Sequence, residues 1–202
     1  MSALVDMAVR AAGLDRVRDA RASGAPVSAD DPIFEQCDLL ALGALADQVR
    51  AHEVGDRVFI YVGAAPAASE ADLVEVRVRD VEPGARGLRF LRDVAIARLT
   101  GPRGARVRID WSQCGMELAQ VALGFGASEL LGIISDRRGL PIADDRTKKV
   151  KGVGAVAVSL LKRQELEGLL QRAGRRAEFV QETRHTPETS ETREPREPVA
   201  TP

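Results

Sequence analysis

Few residues in this chain are of a type and spacing that could do chemistry. Asp110, Trp111 and Gln113 follow one short apolar strand pattern, and Ser135, Asp136, Arg137 and Arg138 follow the next. Carboxylates can move protons, and two guanidiniums side by side can grip a phosphate or carboxylate with paired hydrogen bonds. What is missing narrows the reading. No Ser-His-Asp spacing, P-loop, GxGxxG or HExxH run occurs. His52 and His185 have no catalytic partner at readable spacing, and Cys37 and Cys114 stand in separate segments as unpaired thiols. The expectation is a low-chemistry site with no metal and no cofactor, open to a small anionic ligand.

Two strand ends become neighbours only if something brings them together, and residues 106–134 (RVRIDWSQCGMELAQVALGFGASELLGII) supply it. Val107 and Ile109 alternate with Arg106, Arg108 and Asp110, as in a half-buried strand. A helix is expected from Ser112 or Gln113 through Phe125, apolar nearly all round, with Gly126 as a left-handed stop. Residues 129–134 then resume as an apolar strand. Strand, buried helix and strand within about thirty residues predict a right-handed βαβ unit with parallel strands. Both candidate clusters then lie at one C-terminal edge, where open α/β sheets and β/α barrels bind ligands.

Residues 115–132, GMELAQVALGFGASELLG, resemble the last β/α unit of the radical S-adenosylmethionine enzymes of the futalosine menaquinone route and of deazaflavin synthesis. Those enzymes carry a "GxxxAQxALxFGAxDLxGT" run there; Ile133 stands where they usually have Thr. Further matches follow the family's order. Residues 38–62, DLLALGALADQVRAHEVGDRVFIYV, resemble its lead-in "DLLxLGxLAxxVRxxxxGDxVxF", the helix within 87–100 resembles "LRTxAVARL", and LEGLLQRAGRRAEFV resembles its closing "LxxLIxxAGRxPxxRD". The resemblance implies a β/α barrel, but it covers only about 14–61 and 86–180. Where the family places "NRHINxTNxC" and a CxxxCxxC loop for a [4Fe–4S] cluster, this chain reads VGAAPAAS, without cysteine or histidine. Three thiolates cannot come from two cysteines. The reading is a degenerate, truncated relative without radical chemistry, acting as a binding or partner subunit. The alternative is a cluster-free enzyme or binding protein for a phosphorylated or nucleoside-like molecule.

The remaining chain bounds the fold. Its 202 residues are 45 % apolar, enough for one core, and the formal net charge of −1 favours neither nucleic acid nor an anionic membrane. Scarce aromatics disfavour a base-stacking surface. No apolar run approaches a membrane span, so the reading is cytoplasmic and soluble. Leu4, Met7, Ala11, Leu14 and Val17 predict N-terminal helices; Ser28 with Asp31 resembles a capping box, and Asp38 is expected to cap the helix that buries Leu42, Leu45 and Ala46. Residues 72–81 alternate as an edge or antiparallel-looking strand with Arg77 and Arg79 on the wet side. Residues 87–100 read as a helix with Leu88, Leu91, Ala95 and Leu99 inward. Residues 135–152 read as a long loop, 154–158 as a strand, and Ser159 to Ala173 as a helix. The expected fold is α/β, an incomplete (β/α) barrel-like open sheet. It comprises a single domain over 1–180, with a helical lead-in over 1–55 and a partial barrel over 56–180, and a disordered C-terminal tail over 181–202. Five or six strands cannot close a barrel, so a protein partner or a second copy is expected over the open edges.

Overall fold

A computed structural model of the chain describes residues 3–62, 72–79, 85–132, 134, 135, 147–150, 154–157 and 161–181. Four helices lead in: α1 (Ala3–Ala11), α2 (Asp15–Ser23), α3 (Ile33–Gln36) and α4 (Leu39–Glu53). There follow β1 (Arg57–Val62), β2 (Leu73–Val76), α5 (Arg86–Thr100), β3 (Arg106–Asp110), α6 (Trp111–Cys114), α7 (Met116–Leu123) and β4 (Glu129–Leu131). Two short pairs come next, β5 (Ile134–Ser135) with β8 (Leu161–Lys162) and β6 (Thr147–Val150) with β7 (Gly154–Ala157). Then α8 (Arg163–Arg172) leads into β9 (Arg176–Gln181).

The main sheet has the order β2-β3-β4-β1-β9, and every pairing in it is parallel. β3, α7 and β4 form the expected βαβ unit, with Arg108 opposite Glu129 and Ile109 opposite Leu130. Side chains alternate, so each strand sorts its residues between two faces. Val58, Ile60, Val107, Ile109 and Leu130 share one face and one hydrophobic cluster with Leu42 and Leu45 of α4, Val94 of α5, Ala119 of α7 and Leu166 and Leu170 of α8. The crossovers through α5, α7 and α8 step along the sheet in one direction. Right-handed connections taken in one direction put their helices on one side. The opposite face carries Phe59, Tyr61, Arg106, Arg108 and Glu129.

Buried arginines staple the N-terminal edge of the sheet. Arg98 donates to the carbonyls of Ala105 at 2.6 Å and Gly126 at 3.0 Å, and to Ser128 Oγ at 2.9 Å, binding the starts of β3 and β4 to α5. Gly126 permits this approach: its φ is +99°, and a Cβ there would lie 2.9 Å from the Arg98 side chain. Arg21 bridges Glu53 and the Gly101 carbonyl, and Arg50 reaches the Gly55 carbonyl just before β1. At the other end of α4, Asp38 Oδ1 accepts from the Ala41 N–H at 2.9 Å, as its sequence position predicts.

Several expectations need correction. Among the described residues of 72–81 the strand runs Leu73–Val76 and pairs parallel with β3; it is an edge strand, as read, but α5 crosses over behind it and fixes the parallel sense. The helix after β3 is two pieces, because Gly115 at φ +84° turns the chain between α6 and α7. α7 is amphipathic, with Val121 exposed. Leu88, Leu4 and Met7 are also exposed, whereas Val9, Leu14 and Val17 enter the core. Ser28 and Asp31 form turn hydrogen bonds ahead of α3 without capping it. Residues 135–152 contain β6, half of an antiparallel hairpin, and β9 extends the sheet where no strand was expected. The tail from residue 182 lies outside the described residues. The sheet is open, as expected: in the described residues it has five parallel strands and two edges.

Candidate functional site

The C-terminal edge holds part of the sequence-derived cluster. Asp110 ends β3, and its carboxylate accepts from the Ser112 N–H at 2.8 Å, the Ser112 hydroxyl at 2.6 Å and Gln113 Nε2 at 3.0 Å. It therefore caps α6 and is already saturated with neutral donors. Trp111 is buried, with its ring against Gly132 just beyond β4; a Cβ on Gly132 would come within 2.0 Å of it. Asp110, Trp111 and Gln113 are thus brought together. Ser135 lies in β5, after β4, with its backbone alone described. Asp136, Arg137 and Arg138 lie outside the described residues.

A second constellation occupies the sheet face away from the helices. Glu129 on β4 is fully buried, and two arginines of β3 converge on it. Arg108 lies 2.5 Å from Oε1 with its own side chain 5 % exposed, and Arg106 Nη1 lies 3.0 Å from Oε2 with its side chain 25 % exposed. Aromatic rings of β1 hold both guanidiniums. Arg106 sits 5.2 Å over the Phe59 ring and donates to the Tyr61 hydroxyl at 2.8 Å, while Arg108 sits 5.2 Å over the Tyr61 ring. Such cation–π contacts hold each guanidinium plane in place and gain strength as water is excluded.

The local sequence dictates this convergence. Parallel register puts Phe59, Glu129 and Arg108 in one row across β1, β4 and β3. Alternation then puts Tyr61 and Arg106 on the same face as that row. Sequence reasoning did see Arg106 and Arg108 on a common side of their strand but took that side as wet. The missed signal was Glu129: in a βαβ unit it falls beside Arg108, and a carboxylate opposite two arginines marks a buried polar row.

Elsewhere the charges are matched or the walls are bland. A cleft of about 660 Å³ opens beside β2, over Val74 and Val76, with Asp93 at its wall. Asp93 pairs with Arg79 at 2.8 Å and Arg89 at 3.1 Å, and Arg89 also meets Glu35 at 2.7 Å. A smaller, mainly apolar hollow of about 320 Å³ lies by Leu45, Val49 and His52.

The thiols do not fit an iron–sulfur cluster. Cys37 is buried ahead of α4, near Arg92 Nη1 at 3.8 Å, and Cys114 ends α6. Burial pushes the Cys114 thiol up to about 11 and raises Cys37 as well, although Arg92 pulls the latter back. Among the described residues no three His, Cys, Asp or Glu side chains converge as a metal would require, and no helix is long and apolar enough to cross a membrane. No protein-family model matches the chain, and no curated protein matches it.

Proposed function

We propose that this chain is a non-catalytic binding subunit, a reduced relative of the radical S-adenosylmethionine barrels of futalosine-route menaquinone or deazaflavin synthesis, whose ligand lies on the charged face of its parallel sheet. The observation that carries the reading is that face. All-parallel sheets are ordinarily covered by helices on both sides. Here the helices of the core gather on one side, and the other bears the Arg106–Glu129–Arg108 row. Helices gathered on one side of a parallel sheet is the arrangement of a β/α barrel's outer ring. The open edges β2 and β9 call for a protein partner or a second copy.

Catalysis at the C-terminal edge is the weaker reading, because the Asp110 carboxylate is held by three donors and no base stands free beside it in the described residues. Two thiols of raised pKa offer no cluster site. The test is a thermal-shift panel of nucleosides, nucleotides and small carboxylates, run beside anaerobic reconstitution with iron and sulfide. Stabilisation by a panel member without visible charge-transfer absorption supports the proposal. A stoichiometric cluster that survives gel filtration, or a panel without a single hit, overturns it.

A further inference from the structure

The Arg106–Glu129–Arg108 row contains more donors than its own acceptor can satisfy. Two guanidiniums share one carboxylate, and the carboxylate is completely buried. Arg108 Nη2 lies 2.5 Å from Glu129 Oε1 and Arg106 Nη1 lies 3.0 Å from Oε2, so both carboxylate oxygens are paired while the N–H groups of the two guanidiniums outnumber them. Among the described residues the other carboxylates of this face are committed. Glu178 meets Arg57 at 3.5 Å, Glu75 meets Arg77 at 2.7 Å, and Asp110 is turned toward the start of α6. One carboxylate balances only one of the two guanidinium charges, so the row keeps an excess positive charge. Arg106 is also the partly open member, pinned by the Phe59 ring and the Tyr61 hydroxyl, and its contact to Tyr61 uses one of five donors. A pre-oriented, partly open guanidinium beside a second one is an arrangement that can receive a planar or tetrahedral oxyanion.

We propose that Arg106 and Arg108 together bind one anionic group, a carboxylate or a phosphate, of a small molecule lying against Phe59 and Tyr61. This rests on the binding-subunit reading and adds the ligand's chemistry to it. Glu129 holds the two guanidiniums at a fixed spacing, and the incoming anion takes the donors that Glu129 leaves. Because the pair is partly covered, binding weakens with salt less steeply than at an open surface.

The test uses the full chain at low ionic strength, titrated separately with inorganic phosphate and succinate to tell the two anions apart. Tyr61 is the only tyrosine in the chain, so a ring-labelled tyrosine gives a single NMR reporter touching Arg106. Saturable movement of that signal by either anion is expected. Arg106→Gln, which leaves Arg108 and Glu129 as a one-to-one pair, should weaken binding about tenfold or more, with partial recovery in Arg106→Lys, which keeps the charge but not the fork. An unmoved tyrosine signal in the wild type overturns the proposal whether or not the variants fold. So does equal affinity in a folded Arg106→Gln. Binding of a neutral nucleoside with no response to either anion would overturn the anion site and leave the binding-subunit reading standing.

Discussion

Glu129 on β4 and Arg108 on β3 face each other across one step of parallel register, 2.5 Å apart, and both side chains are buried. The pair lies on the sheet face away from the core helices, outside the apolar core. Removing one partner strands the other. Glu129→Gln should therefore cost about 3–5 kcal/mol, read as a lower denaturant midpoint. Replacing Arg108 and Glu129 together by Met should cost less than the sum of the two single changes, since both charges leave at once. Additive costs would show that the two side chains do not depend on each other.

The staple between Arg21 and Glu53 makes stability sensitive to acid. Burial alone would raise the Glu53 carboxyl, but hydrogen bonds from Arg21 and the Gly104 N–H hold it below its ordinary 4.5. A depressed carboxyl contributes stability in full above the unfolded value and loses it as pH falls through the folded one. Unfolding midpoints measured from neutrality down through pH 4.5 should fall, and Glu53→Gln should flatten that part of the slope. An unchanged slope in the variant would place the acid sensitivity elsewhere.

Gly132 carries a steric prediction. A methyl group there would meet the Trp111 ring at 2.0 Å, and an indole cannot bend aside like a flexible chain end. Gly132→Ala should cost about 1–3 kcal/mol through overpacking and shift the emission of the chain's single tryptophan. Wild-type emission and stability would mean that Trp111 does not rest on this glycine.

Both cysteines should be sluggish. With Cys114 raised to about 11 and Cys37 also raised, little thiolate exists at pH 8, and alkylation of the native protein should lag well behind the urea-unfolded chain. Equal rates would mean that the thiols are open in solution.

The legible parts of this fold were those governed by local pattern. Val107 and Ile109 against Arg106 and Arg108 announced β3, the apolar run up to Phe125 announced a helical crossover though not its break at Gly115, and their spacing required β4 to lie parallel beside β3. Asp38 announced its own cap. Exposure was less legible: Leu4, Met7 and Leu88 have helical spacing but point to solvent, because periodicity names a stripe without saying which neighbour arrives to cover it. β9 was missed although Ala177 and Phe179 alternate with Glu178, since a six-residue strand beside a tail-like sequence carries little local signal. The charged row was half visible. Arg106 and Arg108 were seen together, but their burial depends on Glu129 from another strand and on rings from β1, a relationship set by register and topology.

The central claim is that a ligand lies on the charged sheet face, and amide NMR mapping tests it most directly. The isotope-labelled chain is titrated with inorganic phosphate, succinate and any nucleoside or nucleotide that raises its melting temperature. The account predicts that the moving resonances cluster at Phe59, Tyr61, Arg106, Arg108 and Glu129, which three neighbouring strands bring together on one face. Resonances that move instead around Val74, Arg79 and Asp93, in the cleft beside β2, would contradict it.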